Sequence, residues 1–317
     1  MNSDKSVCTT CGSSVTSRIN VREMRIGLRE EHLYRYCDSC RFLELEKIPD
    51  NLGFYYSDYY TAQKKYYKLS TLRQIIWTLR ASLYGGLFHP LLHRFAFNTV
   101  LDWKYRLKIK SNARIIDVGC GNGDILFEFY KNGFRNLEGI DPFPPDDGLI
   151  RPFQIRKGML ENIQSDERFD LIMMHHSFEH MPGQMQVLEK AASLLSHNGK
   201  LLIRMPVVNK AFETYRENWV QIDAPRHLGI HSTNSFNIIA DRAGLAISDV
   251  FFDSTAFQFL GSEQNKADID FFAPNSYKTN RAASIFKESD FLHFEQKAQQ
   301  YNREGLGDQA AFILKRK

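Results

Sequence analysis

The stretch RIIDVGCGNGD, residues 114–124, decides the fold of this chain. Its apolar residues Ile115, Ile116 and Val118 predict a buried strand, after which glycines stand at positions 119, 121 and 123. Glycine lets the main chain bend sharply and lets a ligand lie directly against it. A helix is predicted directly afterwards, and its N-terminus offers backbone N–H groups that no helical carbonyl accepts. The stretch therefore predicts a strand, a ligand-binding loop and a helix.

The spacing of the glycines distinguishes two kinds of nucleotide-binding loop. A dinucleotide-binding loop has the pattern G-x-G-x-x-G, and Asp124 stands where its third glycine should be. The pattern present is D-x-G-x-G-x-G, from Asp117 to Gly123. It resembles motif I of the class I S-adenosylmethionine-dependent methyltransferases. Further motifs of that family follow in the same order, so that the resemblance extends over roughly residues 110–252.

Strands and helices alternate regularly beyond this loop, which predicts a doubly wound parallel sheet. The resemblance implies that a seventh strand inserts antiparallel beside the sixth, in the order 3-2-1-4-5-7-6. We therefore expect an α/β, Rossmann-like, seven-stranded sheet with a small N-terminal zinc-ribbon-like module. The strands after the first are predicted at residues 136–141, 153–157, 169–174, 201–205, 245–252 and 308–314.

The same patterns divide the chain into three regions. Residues 1–50 are predicted to form a zinc-knuckle module, and residues 51–110 a tyrosine-rich and helical connecting or cap region. Residues 111–317 are predicted to form the methyltransferase domain, with a lid insertion at about 253–302. The helices of the middle region could cover a sheet edge, lie on a membrane surface or dimerise.

Four cysteines, Cys8, Cys11, Cys37 and Cys40, form two C-x-x-C pairs. This spacing is typical of a tetrahedral four-cysteine zinc site. Such a site is structural, because four thiolates leave no open position for a substrate. Disulfides, which are disfavoured in a cytoplasmic protein, and incidental cysteines are the alternatives.

An acid ends the second predicted strand, where it could accept hydrogen bonds from the ribose hydroxyls of a nucleoside. This residue is Asp141, and the resemblance implies that Pro142 and Phe143 border the adenine. The family also lays side chains at the positions of Met159 and Leu160 against the adenine, and we expect His175 to contact the cofactor. The predicted S-adenosylmethionine site thus comprises Asp117, Gly119, Cys120, Gly121, Gly123, Asp141, Pro142, Met159, Leu160 and His175.

The fourth predicted strand leads into HHSFEHM, residues 175–181, which resembles motif IV in its E-H-containing form. His176, Glu179 and His180 stand at i, i+3 and i+4 and would share one helix face. They could act as general base or substrate contact, hold a divalent metal, or be structural. This form of the motif is found in many small-molecule methyltransferases, and a later segment, residues 219–231, resembles the same branch of the family. There His227 is a second candidate base and Arg226 a candidate handle for an anionic group.

Composition places the chain among ordinary globular proteins, with 43% hydrophobic and 25% charged residues. No apolar run approaches the roughly 20 residues that a membrane-spanning helix needs. The N-terminus lacks the apolar core of a signal peptide, so we expect a cytoplasmic protein. The net charge of +4 is uneven, since residues 1–112 hold 18 Lys and Arg but only 10 Asp and Glu. This basic segment could meet an anionic partner or be a solvated surface.

Together the motifs predict an S-adenosylmethionine-dependent methyltransferase that acts on a small-molecule acceptor. The order of cysteine module, tyrosine-rich segment and methyltransferase is similar to the sugar C-methyltransferases, though without their C-terminal domain. A nucleotide-linked sugar or another glycan precursor, methylated at oxygen or carbon, is therefore the expected acceptor. The alternatives are an RNA or DNA methyltransferase that binds nucleic acid through the basic zinc knuckle, or a non-catalytic binding module. The loop after the fourth strand lacks the tetrapeptide N-P-P-Y or D-P-P-Y of amino-methylating enzymes, which argues against methylation of base amino groups. The sequence does not indicate the oligomeric state.

Overall fold

The structure is a computed structural model, and it describes residues 6–15, 17–56, 76, 79, 103, 105–144 and 151–317. Its strands are β1 (Ser17–Arg22), β2 (Glu31–Cys37), β3 (Phe42–Leu45), β4 (Ile115–Val118), β5 (Leu137–Asp141), β6 (Gln154–Lys157), β7 (Phe169–His175), β8 (Leu195–Pro206), β9 (Gly229–Ile230), β10 (Leu245–Phe252) and β11 (Gln309–Arg316). Its α-helices are α1 (Asp124–Lys131), α2 (Gln184–Leu194), α3 (Lys210–Tyr215), α4 (Thr233–Arg242), α5 (Phe257–Lys266) and α6 (Glu288–Glu304).

The larger sheet has seven strands in the order β10-β11-β8-β7-β4-β5-β6. Numbered from β4, this is the predicted order 3-2-1-4-5-7-6, and the prediction is confirmed. Strand β4 pairs in parallel with both β5 and β7, and β5 pairs in parallel with β6. Ile115 and Ile116 in β4 and Leu171 in β7 are completely buried. Such apolar runs are typical of parallel strands covered on both faces.

The smaller sheet is antiparallel and has the order β1-β2-β3-β9. Its first three strands come from the predicted cysteine module, whereas β9 comes from far along the chain. In the pairing of β3 with β9, Leu43 lies opposite Ile230 and Glu44 lies opposite Gly229. The N-terminal ribbon therefore continues into a segment that the sequence patterns assign to the catalytic domain.

Contacts divide the chain into two compact units. The first, here called the cysteine unit, comprises Met1–Asp58, Phe178–Met185 and Arg204–Phe312. The second, here called the glycine-loop unit, comprises Tyr59–Ser177, Gln186–Ile203 and Ile313–Lys317. The predicted domain boundaries at residues 50 and 110 stay a prediction.

The cysteine unit has its own apolar core. Tyr34 and Leu43 of the small sheet and Phe212 of α3 are completely buried within it, and Trp219 joins them. The predicted lid insertion contributes to the same core, because Phe259 of α5 stacks on Phe294 of α6 with ring centroids 5.3 Å apart. A role for this insertion as a lid stays a prediction.

The helices predicted in the region 51–110 lie outside the described residues, apart from residues 76, 79, 103 and 105–110. Tyr59, Tyr60, Tyr66 and Tyr67 of its tyrosine-rich part also lie outside the described residues. Of the tyrosine-rich segment the structure describes a short 3-10 helix, Leu52–Tyr56. Within the described part of the chain, no helix is both long enough and apolar enough to cross a bilayer.

Candidate functional site

The glycine loop joins β4 to α1 inside the glycine-loop unit. Gly119, Gly121 and Gly123 have φ values of +73°, +51° and +78°, which is the left-handed region that favours glycine. A Cβ atom on Gly119 would lie 2.5 Å from the Cβ of Ser177, the residue whose hydroxyl donates to the Val118 carbonyl at 2.7 Å. The loop therefore packs closely against the segment that follows β7. Helix α1 begins at Asp124 without a side-chain cap, so its first N–H groups can bind a ligand.

Two buried acids, Asp117 and Asp141, lie at the carboxyl ends of the neighbouring strands β4 and β5. The carboxylate of Asp141 accepts the N–H groups of Gly121 and Phe143, both at 2.8 Å, and so shapes the loop. Each carboxylate oxygen can accept a second hydrogen bond, which leaves capacity for ribose hydroxyls.

Asp117 Oδ1 is buried and accepts no hydrogen bond from any residue that the structure describes. Burial, and secondarily the charge of Asp141, raise the pKa of Asp117 to about 8. An unsatisfied buried acid is costly unless a ligand or water supplies the missing donor. Beside a glycine loop and a helix N-terminus, this oxygen fits a ligand that carries donor or cationic groups.

The other predicted cofactor residues lie in the same unit. Cys120 packs on β5, where a Cβ on Gly139 would lie 2.4 Å from its sulfur. Leu160 is buried, while Pro142 is half-buried and Met159 is exposed. The ring of His175 stacks on the buried indole of Trp103, with centroids 4.5 Å apart. Contact of these residues with a cofactor stays a prediction.

The four cysteines of the two C-x-x-C pairs come together in the cysteine unit, and their sulfur atoms all lie within 4.8 Å of one another. The Sγ atoms of Cys8 and Cys40 are 3.6 Å apart, and those of Cys11 and Cys37 are 3.5 Å apart. Zinc–sulfur bonds of about 2.3 Å in a tetrahedron would place the sulfurs about 3.8 Å apart. The spacing and the all-thiolate donor set therefore fit a zinc ion.

Both cysteine pairs adopt the same turn. The residue after each pair, Gly12 or Arg41, has a positive φ of 78° or 62°. Its N–H donates to the carbonyl of the first cysteine, at 3.0 Å for Cys8 and 2.7 Å for Cys37. Arg41 thus holds, at some cost in strain, a conformation that glycine adopts easily.

A histidine cluster is the third feature, and it lies in the cysteine unit. Glu179, His180 and His227 have potential ligand atoms within 4.8 Å of one another. His227 Nδ1 lies 2.7 Å from the Gln221 carbonyl, which assigns its proton to Nδ1 and leaves Nε2 as the basic nitrogen. Nε2 lies 4.0 Å from Glu179 Oε1 and 3.8 Å from Asp223 Oδ2. A positive charge that forms on this imidazole would be stabilised by both carboxylates.

His180 has a similar anchor. Its Nδ1 lies 2.9 Å from the Arg226 carbonyl and 3.0 Å from the Tyr56 hydroxyl. The rings of His180 and His227 meet edge to face, with centroids 4.6 Å apart. The tyrosine-rich segment that contains Tyr56 could, from the sequence, either pack or line a substrate pocket, but Tyr56 itself was not singled out. Gln221 was not among the predicted site residues, because a hydrogen bond to a backbone carbonyl leaves no pattern in the sequence.

His176 does not share a helix face with Glu179 and His180, and this prediction is wrong. The helix is a 3-10 turn that begins only at Phe178, while His176 precedes it with a φ of +50°. Arg226, the predicted handle for an anionic group, is buried and paired with the carboxylate of Asp223.

The family model described as "Methyltransferase domain" matches residues 91–250, which is 160 of the 317 residues. EEF1A lysine methyltransferase 2 of Homo sapiens is 41% identical over 69 residues, or 22% of this chain and 29% of that protein. Ubiquinone biosynthesis O-methyltransferase of Rhodopseudomonas palustris (strain HaA2) is 28% identical over 105 residues, or 31% of this chain and 41% of that protein. The chain spans less than half the length of both relatives.

Among solved structures, a SAM-dependent methyltransferase from Archaeoglobus fulgidus aligns with 73% of this chain and all of its own, at 17% identity and a TM-score of 0.41. The fold assignment rests on the observed strand order, and the family assignment rests on the match over half the sequence. The chain belongs to the methyltransferase domain family.

Proposed function

We propose that this protein is an S-adenosylmethionine-dependent methyltransferase with a small-molecule acceptor and a structural zinc ion. The observation that carries the proposal is the buried pair Asp117 and Asp141 beside a glycine loop, within a chain that belongs to the methyltransferase family. An acceptor such as a nucleotide-linked sugar or glycan precursor, methylated at oxygen or carbon, agrees with the layout of motifs along the chain.

The cofactor would be held by the residues of the glycine-loop unit. Asp141 would accept the ribose hydroxyls while it keeps its bonds to the N–H groups of Gly121 and Phe143. Asp117 would supply an acceptor to a donor group of the ligand, and Met159 and Leu160 would border the adenine. When bound, S-adenosylmethionine supplies a methyl group already activated by its sulfonium, so the chain has to align the acceptor and remove its proton.

His227 is the proposed proton acceptor. Its Nδ1–H donates to the Gln221 carbonyl, so Nε2 is oriented to receive a proton from a hydroxyl or an acidic C–H. Glu179 and Asp223 lie within 4.0 Å of that nitrogen and would stabilise the imidazolium that forms. His180, anchored on the Arg226 carbonyl, is the second candidate for the same task.

Cys8, Cys11, Cys37 and Cys40 would hold the zinc ion. Four thiolates complete its coordination, so a structural role is expected for it and not a catalytic one. Zinc analysis of the purified protein by plasma emission should give one ion per chain, and Cys40→Ser should reduce it to a trace.

The acceptor class is tested with the full chain, methyl-labelled S-adenosylmethionine and three groups of acceptors. These groups are nucleotide-linked sugars and hydroxylated aromatic compounds, a protein extract, and RNA or DNA. We expect label transfer to the small molecules, as supported by the likeness to a ubiquinone biosynthesis O-methyltransferase. Transfer to protein alone would favour methylation of protein lysine, the activity in the name of the lysine methyltransferase relative. Transfer to nucleic acid alone would favour an RNA or DNA methyltransferase that binds its substrate through the basic zinc knuckle. Cofactor binding without transfer to any group would support a non-catalytic binding module.

A further inference from the structure

We infer that the four-cysteine site positions the histidine loop, defined here as residues 223–232, so that metal occupancy is coupled to the orientation of His227. The catalytic meaning of this coupling rests on the proposed function, but its structural test does not. Three contacts inside the cysteine unit carry the inference, and each starts from a residue close to Cys37 or Cys40.

The first contact comes from strand β2, which ends at Cys37. The hydroxyl of Tyr34 donates to the carbonyl of His227 at 2.9 Å, across 193 positions of sequence. The side chain of Tyr34 is completely buried, and burial raises the pKa of its hydroxyl well above the ordinary value. The hydroxyl therefore stays protonated and fixes the backbone of the candidate base itself.

The second contact comes from strand β3, which begins two residues after Cys40. Strand β3 pairs with β9 within the histidine loop, and the Leu45 N–H donates to the Leu228 carbonyl at 2.9 Å. Strands β2 and β3 are joined by the Cys37–Cys40 knuckle. Any loosening of that knuckle therefore releases the two strands that hold the residues around His227.

The third contact involves a proposed metal ligand directly. Ser232 Oγ donates to the carbonyl of Cys40 at 2.6 Å and also accepts the Ser235 N–H as the cap of α4. Next to it, the ring of His231 stacks on Phe42 with centroids 4.3 Å apart. The end of the histidine loop is thus bonded to the main chain of the metal site.

These contacts explain how a structural ion could affect chemistry. A four-thiolate site fixes the backbone of both knuckles. From the second knuckle, the Tyr34 bond, the β3–β9 pairing and the Ser232 bond hold the loop at its centre and at its end. Tyr34 is accordingly a positioning residue, which acts on His227 without touching the reacting atoms.

The test is hydrogen–deuterium exchange of the full chain, followed by mass spectrometry, on four samples. These are the wild type with zinc, the wild type after chelation, and the zinc-loaded variants Tyr34→Phe and Tyr36→Phe. Tyr36 is the matched control, because it loses the same hydroxyl from the same strand while its ring packs on Phe212. The amides of Arg226 and Leu228 report on the loop, since they donate to the carbonyls of Asp223 and Glu179.

We expect exchange at these amides to be about tenfold faster after chelation and in Tyr34→Phe. Chelation frees the knuckle that holds β2 and β3, and Tyr34→Phe removes the buried hydrogen bond to the His227 carbonyl. Tyr36→Phe should match the wild type. Unchanged exchange in Tyr34→Phe, or a retained slow rate after complete chelation, would overturn the inference. Because Tyr34→Phe keeps all four cysteines, it tests the link between strand β2 and His227 even if chelation unfolds the unit.

Cofactor titration of the same samples separates this inference from the proposed function. Faster exchange in a protein that binds no S-adenosylmethionine supports the coupling and contradicts the methyltransferase proposal. Cofactor binding with unchanged exchange contradicts the coupling and leaves the proposal standing. Once an acceptor is known, Tyr34→Phe should lower kcat about tenfold and leave the KM for the cofactor unchanged, whereas a merely structural role would not separate these constants.

Discussion

The glycine loop and the histidine loop are built in opposite ways. The bond that shapes the glycine loop, from the Gly121 N–H to Asp141, spans 20 positions, and both residues belong to consecutive strand–loop segments. The histidine loop depends on Tyr34 and Cys40, which lie 193 and 192 positions before the residues that they contact. The proposed cofactor site is therefore encoded locally, whereas the proposed base is positioned by tertiary contacts with the cysteine module.

Replacing the candidate base should produce the largest effect, and it should change the rate of methyl transfer without changing the affinity for S-adenosylmethionine. We expect His227→Gln to lower methyl transfer by about 10²–10⁴-fold, since general base catalysis contributes that much. The affinity for S-adenosylmethionine should stay within about threefold, because the glycine loop keeps its own bonds. Single-turnover kinetics and calorimetry measure the two quantities. The exposed His197 provides the control His197→Gln, and equal losses in both variants would contradict the assignment.

The buried acid of the glycine loop predicts a dependence of stability on pH. The pKa of Asp117 in the folded protein is raised from 3.8 to about 8. The raised pKa therefore does not lower the free energy of unfolding below pH 4, but lowers it progressively as the pH rises from 4 toward 8. Asp117→Asn should therefore stabilise the ligand-free protein by as much as about 5 kcal/mol at pH 8 and little at pH 4. Thermal unfolding across this range measures the difference. The exposed acid Asp166 gives the control Asp166→Asn, and a gain that is constant with pH would contradict the shift.

Two glycines of the loop differ in the space that a side chain would have. A Cβ on Gly119 would meet Ser177 at 2.5 Å, whereas a Cβ on Gly121 would meet no atom within 4 Å. Gly119→Ala should lower the free energy of unfolding by about 2–4 kcal/mol, through overpacking and left-handed strain together. Gly121→Ala should cost only about 1–2 kcal/mol, from strain alone. Denaturant unfolding without ligand compares them, and equal losses would show that the close packing on Ser177 has no energetic consequence.

The smallest effect is expected at the knuckle that anchors the histidine loop. Arg41→Gly relieves a left-handed conformation but removes an exposed ion pair, in which Arg41 and Glu213 approach to 2.7 Å. Strain relief of about 1–2 kcal/mol should exceed the loss of about 0–1 kcal/mol for an exposed pair. A net stabilisation of about 1 kcal/mol is expected from thermal unfolding of the zinc-loaded protein. Glu213→Gln removes the pair with Arg41, and also the pair of Glu213 with Lys210 at 3.2 Å, but it leaves the backbone at Arg41 unchanged. Destabilisation by Arg41→Gly beyond that of Glu213→Gln would contradict the expected relief of strain.

The features that could be predicted from the sequence have short-range physical causes. The alternation of apolar runs and helical patterns predicted the doubly wound sheet, and the bounds of β10 coincide with the predicted 245–252. The strand order itself was predicted from the resemblance to the methyltransferase family. Ser232 caps α4 as its residue type favours, and the two C-x-x-C pairs converge as their spacing predicts. Each of these features depends on the residues within one turn, strand or knuckle.

The features that escaped prediction depend on distant partners or on backbone geometry. A two-residue strand such as β9 is too short to show a period-2 pattern, so its pairing with β3 could not be predicted from the sequence. The carbonyl anchors of His180 and His227 involve no side-chain signature. The helical spacing of His176 was misleading, because its positive φ ends the regular backbone before the 3-10 turn begins.

Isothermal titration with S-adenosylmethionine and its demethylated product tests whether the glycine loop and Asp141 form the cofactor site. The samples are the wild type, Asp141→Ala and the exposed control Asp166→Ala, each shown to be folded by circular dichroism. We predict micromolar binding by the wild type and the control, and a loss of about 100-fold or more in Asp141→Ala, since a buried charged acceptor is removed. Equal binding by Asp141→Ala, or no binding by the folded wild type, would show that the glycine loop and Asp141 do not form a cofactor site.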